Sequence, residues 1–548
     1  MRFLLTIAIV LILFSCTTTQ EEKLTNPSET ISEQKIAQHI KTLSSDEFEG
    51  RMPFTNGEVK TINYIKNQMQ ESGLQPGNGD SFFQEVPLVE INSSPTKDMI
   101  ITGGSESMQL EYKTDYVALT RRVVDNISIE NSELVFAGYG VIAPEYDWND
   151  YDGLDVKGKT VVVLVNDPGF GTGDESFFKG ESMTYYGRWT YKYEEAARQG
   201  AEGLIIIHDT KPASYPWVVV KNGWSGPNMY LQSEDNNMSR CAFEGWISME
   251  TAEQLFTNAG MKDYDFTDAS KKRDFKAFSL NQKVSLGLNN KITASKSNNV
   301  IGLYEGSERS DEYIIYSGHW DHFGIGDAVD GDSIHNGAID NATGIAAILE
   351  MARAFSAMET KPKRSVIFLA VTAEEQGLLG SAHYASNPIY PVNKTVANIN
   401  IDAIIPMGAV ENVKVIGYGQ SELEEYASTV AEQQGRYIVP DPNPSHGSYF
   451  RSDHFNFAKV GIPALYAKSG EISIEHGVEW GKNIYDDYYA KDYHQPSDEY
   501  NPDWDLTGVV LDTKLLFEVG LKVATEDHFP VWKDGSEFKA IREESLSN

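Results

Sequence analysis

The chain has 548 residues, with 46 Lys+Arg against 80 Asp+Glu and a formal charge of −34. Its length exceeds the roughly 250–300 residues that one hydrophobic core organises, so two domains are expected. A hydrophobic content of 41% and a charged content of 23% exclude a disordered or fibrous chain, and the acidity argues against nucleic acid or an anionic membrane surface as partner.

In chain order, Arg2 precedes an apolar run that closes with Leu13-Phe14-Ser15-Cys16. The run reads as a secretory signal and is too short for a stable membrane span. A small residue directly before Cys, with Leu three before it, resembles a bacterial lipobox, although Phe14 is bulkier than usual at its position. The resemblance implies lipidation of Cys16, and Gln20-Glu21-Glu22 after it points to the outer membrane. The expected protein is exported and touches the membrane only through its anchor, facing the periplasm or the cell surface. Cys241 is left as a lone thiol, expected to be a small buried hydrophobe.

Residues 17–30 read as a polar tether. Ile36, Ile40 and Leu43, then Val59, Ile62, Ile65 and Met69, form two helical stripes in a first segment, 31–115. Residues 116–293 change to short strands, among them Leu134–Gly138, Thr160–Val165 and Leu204–His208, with one helix around Tyr193–Gln199. From 294 to 530 strands and helices alternate, the signature of an α/β domain with a mainly parallel sheet flanked by helices. Residues 531–548 read as a C-terminal tail. Within the α/β part, Tyr313–Ser317 leads into His319, Ser365–Val371 into Glu374 and Glu375, Val396–Ile401 into Asp402, and Ile462–Ala467 into a Ser-Gly loop. Between the first two strands, Ile345, Ile348, Leu349, Ala352 and Phe355 form one helical face, with Asp340 and Asn341 at cap-like positions. A last helix carries Val509, Val510, Leu516, Phe517 and Leu521.

Acidic and His residues thus recur just past the carboxyl ends of strands, where open α/β sheets place ligands. Hydrolysis at two metals needs a bridging carboxylate, one His and one further carboxylate per metal, and a free base. His319, Asp340, Glu374, Glu375, Asp402 and His494 supply such a set. The chain has no H-E-x-x-H helix and no G-x-S-x-G elbow.

Ser317-Gly318-His319-Trp320-Asp321 and Asn336-Gly337-Ala338-Ile339-Asp340-Asn341 resemble the first motifs of the co-catalytic di-zinc exopeptidases. That family holds secreted bacterial aminopeptidases, glutamate carboxypeptidase and transferrin receptor. Thr372-Ala373-Glu374-Glu375, Asn400-Ile401-Asp402, Ser452-Asp453-His454 and Tyr493-His494-Gln495-Pro496-Ser497-Asp498 follow in the family's order. The resemblance implies two Zn2+ per chain, with Asp340 bridging, His319 and Asp402 on one metal, and Glu375 and His494 on the other. It further implies Glu374 as general base, Asp321 as the carboxylate orienting His319, Tyr493 as an oxyanion donor, and a cis Asp340–Asn341 bond. Residues 134–140, 158–163 and 194–207 resemble a protease-associated domain, inserted between the first helices and the first ligand strand.

The implied activity is a zinc aminopeptidase acting on peptides. A carboxypeptidase for acidic C-termini ranks second, because the late loops offer Arg436 and Arg451 but no arginine cluster. A glutaminyl-cyclase-like reaction ranks third, and a non-catalytic surface binding protein is the rival from another class. Of the other histidines, His446 and His476 could border the cleft, while His322, His335 and His454 match no ligand position.

Overall fold

The structure is a computed structural model and describes residues 26–547. Cys16 and the signal-like run lie outside the described residues. Among the described residues no helix is long and apolar enough to cross a membrane.

The α/β part is built on a parallel core. Arg309–His319 pairs in parallel with Arg364–Val371 on one side and with Thr395–Asn400 on the other, and Thr395–Asn400 pairs in parallel with Ala464–Ser469. Val366, Phe368, Val396 and Ile399 are fully buried, as expected for strands covered on both faces. The helix Thr343–Ser356 covers one face, and Ile345, Ile348, Leu349, Ala352 and Phe355 are buried as their spacing predicts. Glu33–Leu43, Asn56–Glu71 and Thr507–Thr525 join the same core. One expected stripe residue differs: Val59 is 57% exposed, because the buried face of its helix runs through Thr61, Ile62, Ile65 and Met69.

The lobe between the first helices and the first ligand strand carries Asn126–Phe136, Thr160–Leu164, Gly203–His208 and Phe243–Ser248 as parallel neighbours. It has its own apolar clusters on the two faces of this sheet. Cys241 is buried there, and burial pushes its thiol up to about 12, the inert hydrophobe expected. Two long strands tie the lobe to the α/β part. Phe83–Thr102 and Phe278–Tyr304 pair antiparallel from Phe83↔Val300 to Thr102↔Lys283. Phe278–Tyr304 also borders Asn126–Phe136 at one end and Arg364–Val371 at the other, so one sheet runs through both parts. Laterally, the Met183 amide donates to Pro444 O at 3.2 Å, Ser214 Oγ to Ser445 O at 3.3 Å, and Lys459 pairs with Glu194 at 2.7 Å.

Two segments expected to be loose are packed. Residues 26–30 lie on the last long helix, where Ser28 Oγ donates to Glu518 at 2.7 Å. In the C-terminal stretch Trp532 and Phe538 are 1% exposed, the indole donates to Gly461 O at 2.8 Å, and Lys539–Ser547 is helical. Large aromatic side chains with a buried place to go turn a polar-looking tail into part of the core.

Candidate metal centre

Three adjacent parallel strands deliver three groups of candidate ligands to one edge. His319 ends the central strand, Glu374 and Glu375 follow Arg364–Val371, and Asp402 follows Thr395–Asn400. Asp340 precedes the helix Thr343–Ser356, and His494 follows a short turn of helix. The sheet topology therefore gathers His319, Glu374, Glu375 and Asp402, and the helix start and a late loop bring Asp340 and His494 to them.

The distances resolve two poles around Asp340. His319 Nε2 lies 3.1 Å from Asp340 Oδ1 and 3.4 Å from Asp402 Oδ1. His494 Nε2 lies 3.4 Å from Asp340 Oδ2 and 3.2 Å from Glu375 Oε2. Each oxygen of one carboxylate thus faces a different donor set. Asp340 Oδ1 and His494 Nε2 are buried yet form no hydrogen bond, so lone pairs converge without protons aligned between them. Burial, together with Asp402, Asp453 and Asp340, raises Glu374 well above the usual carboxylate range against the pull of His319; burial, Asp340 and Glu374 do the same for Glu375. Such a crowd of carboxylates calls for cations, and mixed imidazole and carboxylate donors suit zinc among several divalent ions. The residues fit a pair of metals.

Sequence position locates the candidate ligands but leaves their supports hidden. Asp321 is fully buried and its carboxylate accepts from the Glu374 and Glu375 amides at 3.0 and 3.4 Å. His319 Nδ1 instead meets the Asp321 main-chain oxygen at 3.2 Å, with the carboxylate at 4.0 Å. Asp321 therefore fixes the Glu pair through its side chain and the imidazole through its backbone. Burial raises its carboxyl to about 6. Asn341, joined to Asp340 by a cis peptide bond, accepts from the Gly344 and Ala403 amides and donates to Ile401 O, tying the helix start to the Asp402 loop. Asn341 thus acts as the cap, whereas Asp340 turns into the site. Ser452 Oγ donates to Asp402 Oδ2 at 2.5 Å, and Asn400 supports Ser452 from behind at 2.7 Å.

Asp498 accepts from the Ile339 and Asp340 amides at 2.9 and 3.1 Å. Arg51 is 1% exposed and donates to the carbonyls of Leu43, Trp320, Asn336 and Gly337. Gly337 has φ 54°, and a Cβ there would collide with the Asp340 carbonyl and the Arg51 guanidinium. Arg51 carries no sequence signal beyond lying after a Gly. His322, which matched no ligand position, is fully buried with Nδ1 2.6 Å from Glu375 Oε1. Burial keeps it neutral, well below 6.5, so it can donate to Glu375. Its spacing of three from His319 was the available clue. Tyr493 stacks on His494 with ring centroids 3.6 Å apart and borders the same cavity as His319, Asp340, Glu374 and Asp402. His446 borders that cavity too, whereas His476 lines a separate one. Arg436 is consumed by a buried pair with Asp512 at 2.7 Å.

Residues 299–517, which contain every ligand candidate, match the model for Peptidase family M28. The match covers this C-terminal α/β segment of the chain. A mouse protein named Aminopeptidase NAALADL1 is 32% identical over 131 residues, 23% of this chain and 16% of that one. A Caenorhabditis elegans protein named Glutamate carboxypeptidase 2 homolog is 33% identical over 130 residues, 22% of this chain and 15% of that one. The chain thus spans about a sixth of the length of these curated relatives. Among solved structures, an aminopeptidase from Aneurinibacillus sp. strain AM-1 aligns over 92% of this chain and 97% of its own, at 18% identity and a TM-score of 0.48. The M28 segment begins within the long strand Phe278–Tyr304 and ends within the last long helix.

Proposed function

We propose that the chain is a two-metal, zinc-dependent exopeptidase, most specifically an aminopeptidase that removes N-terminal residues from peptides. The observation carrying this reading is Asp340, whose two oxygens face separate His and carboxylate sets. His319 and Asp402 would hold one ion and His494 and Glu375 the other. When bound, such a pair supplies Lewis-acid polarisation of the scissile carbonyl and acidifies the attacking water.

The protein's own groups do the rest. Glu374, which lies within 4.8 Å of His319 and Glu375 but forms no ion pair with His319 or His494 among the described residues, accepts the water's proton and returns it to the leaving amine. Asp321 holds Glu374 by its backbone amide, so the base is aimed before substrate arrives. Tyr493 borders the cavity and would hydrogen-bond the developing oxyanion through its phenolic O–H. Ser452 fixes the rotamer of Asp402. The inserted lobe is assigned as a protease-associated domain, and its contacts with the 444–445 loop support a part in shaping the cleft. The test is an aminoacyl-anilide panel read beside metal content: turnover should vanish on chelation and return with about two zinc ions per chain.

Lipidation at Cys16 and outer-membrane residence belong to the same proposal. Cys16→Ser should move the protein from the membrane fraction to the soluble one with activity intact. Wild-type protein without added acyl mass would overturn the anchor alone.

A further inference from the structure

Asp453 is fully buried beside the candidate metal centre, near enough to Glu374 for its charge to help raise that residue. It stands directly before the helix His454–Lys459, where an aspartate ordinarily caps the free amides. Its side chain makes no such cap. Instead Oδ1 meets Ser381 Oγ at 2.5 Å, while Oδ2 is buried without a hydrogen-bond partner among the described residues. Burial pushes the carboxyl up to about 7. A buried acid with an unused oxygen costs stability that an apolar residue of similar size would spare. Packing therefore does not account for it.

Ser381 is the first link of a chain that ends at Glu374. Ser381 Oγ lies 3.1 Å from Leu378 O, and Asn456 Nδ2 donates to both of them at 2.9 and 3.0 Å. The Gly377 and Leu378 amides in turn both donate to Glu374 O at 2.8 Å. These bonds close a turn with strained ends: Ala373 has φ 52° and Leu378 φ 61°, in the left-handed region that disfavours residues with a side chain. Such a turn keeps its shape only where its neighbours over-determine it. Asp321 holds the Glu374 amide at 3.0 Å, so Asp453 and Ser381 secure the opposite end of the same turn. Ser452, one residue earlier, grips Asp402. Two consecutive residues thus fix a candidate ligand and the turn that carries the base.

We infer that Asp453 is a positioning residue for Glu374, aiming the base through Ser381 and the 374–378 turn. The inference rests on the exopeptidase reading, in which Glu374 moves the proton. A group displaced by about 1 Å can cost roughly a hundredfold in rate. KM need not follow, because the lost alignment belongs to the transition state.

The experiment is a double-mutant cycle on the zinc-loaded full chain with an aminoacyl-anilide. Asp453→Ala should lower kcat roughly 10–100-fold, with KM and metal content kept. Ser381→Ala, a smaller cut, should reproduce part of that loss and carries the cycle if Asp453→Ala does not fold. Asp453→Asn, whose side-chain oxygen can still accept from Ser381, should recover most of it. In a Glu374→Gln background no base remains to be aimed, so Asp453→Ala should change the residual kcat by less than about twofold. A residue acting only on stability would lower both backgrounds alike. Wild-type kcat in Asp453→Ala would overturn the inference, as would an Asn variant no faster than the Ala one. So would the same loss with and without Glu374, or a loss expressed in KM or in metal content. If the wild type turns over no peptide, the exopeptidase reading fails, and hydrogen exchange decides the positioning by itself. Asp453→Ala should then release the Gly377 and Leu378 amides specifically. Unchanged protection there, or exchange raised throughout the molecule, sinks it.

Discussion

The two poles of the candidate metal centre are made of different material. His319 leaves a strand clamped between two parallel neighbours and is 1% exposed. Its companion Asp402 is held by Ser452, which Asn400 supports from inside the sheet. His494 sits in a loop at φ 61°, with its side chain 32% exposed. Ring contacts hold it, Tyr493 at 3.6 Å and Phe323 at 4.6 Å. A ligand on a strand end loses little entropy when it binds, whereas a loop ligand must be ordered each time. The sheet pole is therefore expected to bind more tightly and exchange more slowly than the loop pole.

The largest effect separates the base from both poles. Glu374→Gln should keep both metals and lower kcat by roughly 10²–10⁴, with KM little changed. Glu375→Gln should instead empty the loop pole, and excess zinc should restore part of the activity. Metal analysis beside kinetics decides between the two glutamates; loss of a metal in Glu374→Gln alone would reverse their roles.

Support residues give the next effect. Ser452→Ala removes the hydroxyl from Asp402 and should weaken the sheet pole by roughly 10–100-fold in metal affinity. Phe323→Ala, which removes one ring beside His494, should weaken only the loop pole, and by less. If Ser452→Ala and Phe323→Ala release the same ion in competition titrations with a chelating dye, the asymmetry is false.

The smallest effect needs no mutation. Dialysis of the zinc-loaded chain against increasing chelator should pass through a plateau near one ion per chain, with cobalt re-added at that stage entering the loop pole. A single step from two ions to none would mean that the poles are equal.

Much of this was legible in the sequence because chemistry and topology coincide there. His319, Glu374, Glu375 and Asp402 each follow an apolar run of strand length, and the adjacent order of those strands brings them together. Asp340 and His494 stood out through motif context. The supports were harder to see. Arg51 acts through carbonyls contributed by distant turns, and no local pattern encodes that. Lys468 reads as the polar end of a strand until Asp402 and the 443–451 loop close around it. The packed C-terminus was missed for a related reason: Trp532 and Phe538 are isolated apolar residues in a polar stretch, and only a tertiary partner reveals their role.

The paired strands Phe83–Thr102 and Phe278–Tyr304 make the junction between the lobe and the α/β part a beam instead of a string. A flexible linker would let the lobe wander and would tolerate added residues. A hydrogen-bonded ribbon transmits twist, and deleting a single residue from one strand would turn its side chains beyond that point to the opposite face. The lobe's contacts with the 444–445 loop are thus geared to a register set far from the cavity itself. Anyone wishing to exchange the lobe between related proteins should cut both strands at partnered positions, such as Thr102 and Lys283, and carry the whole rung across.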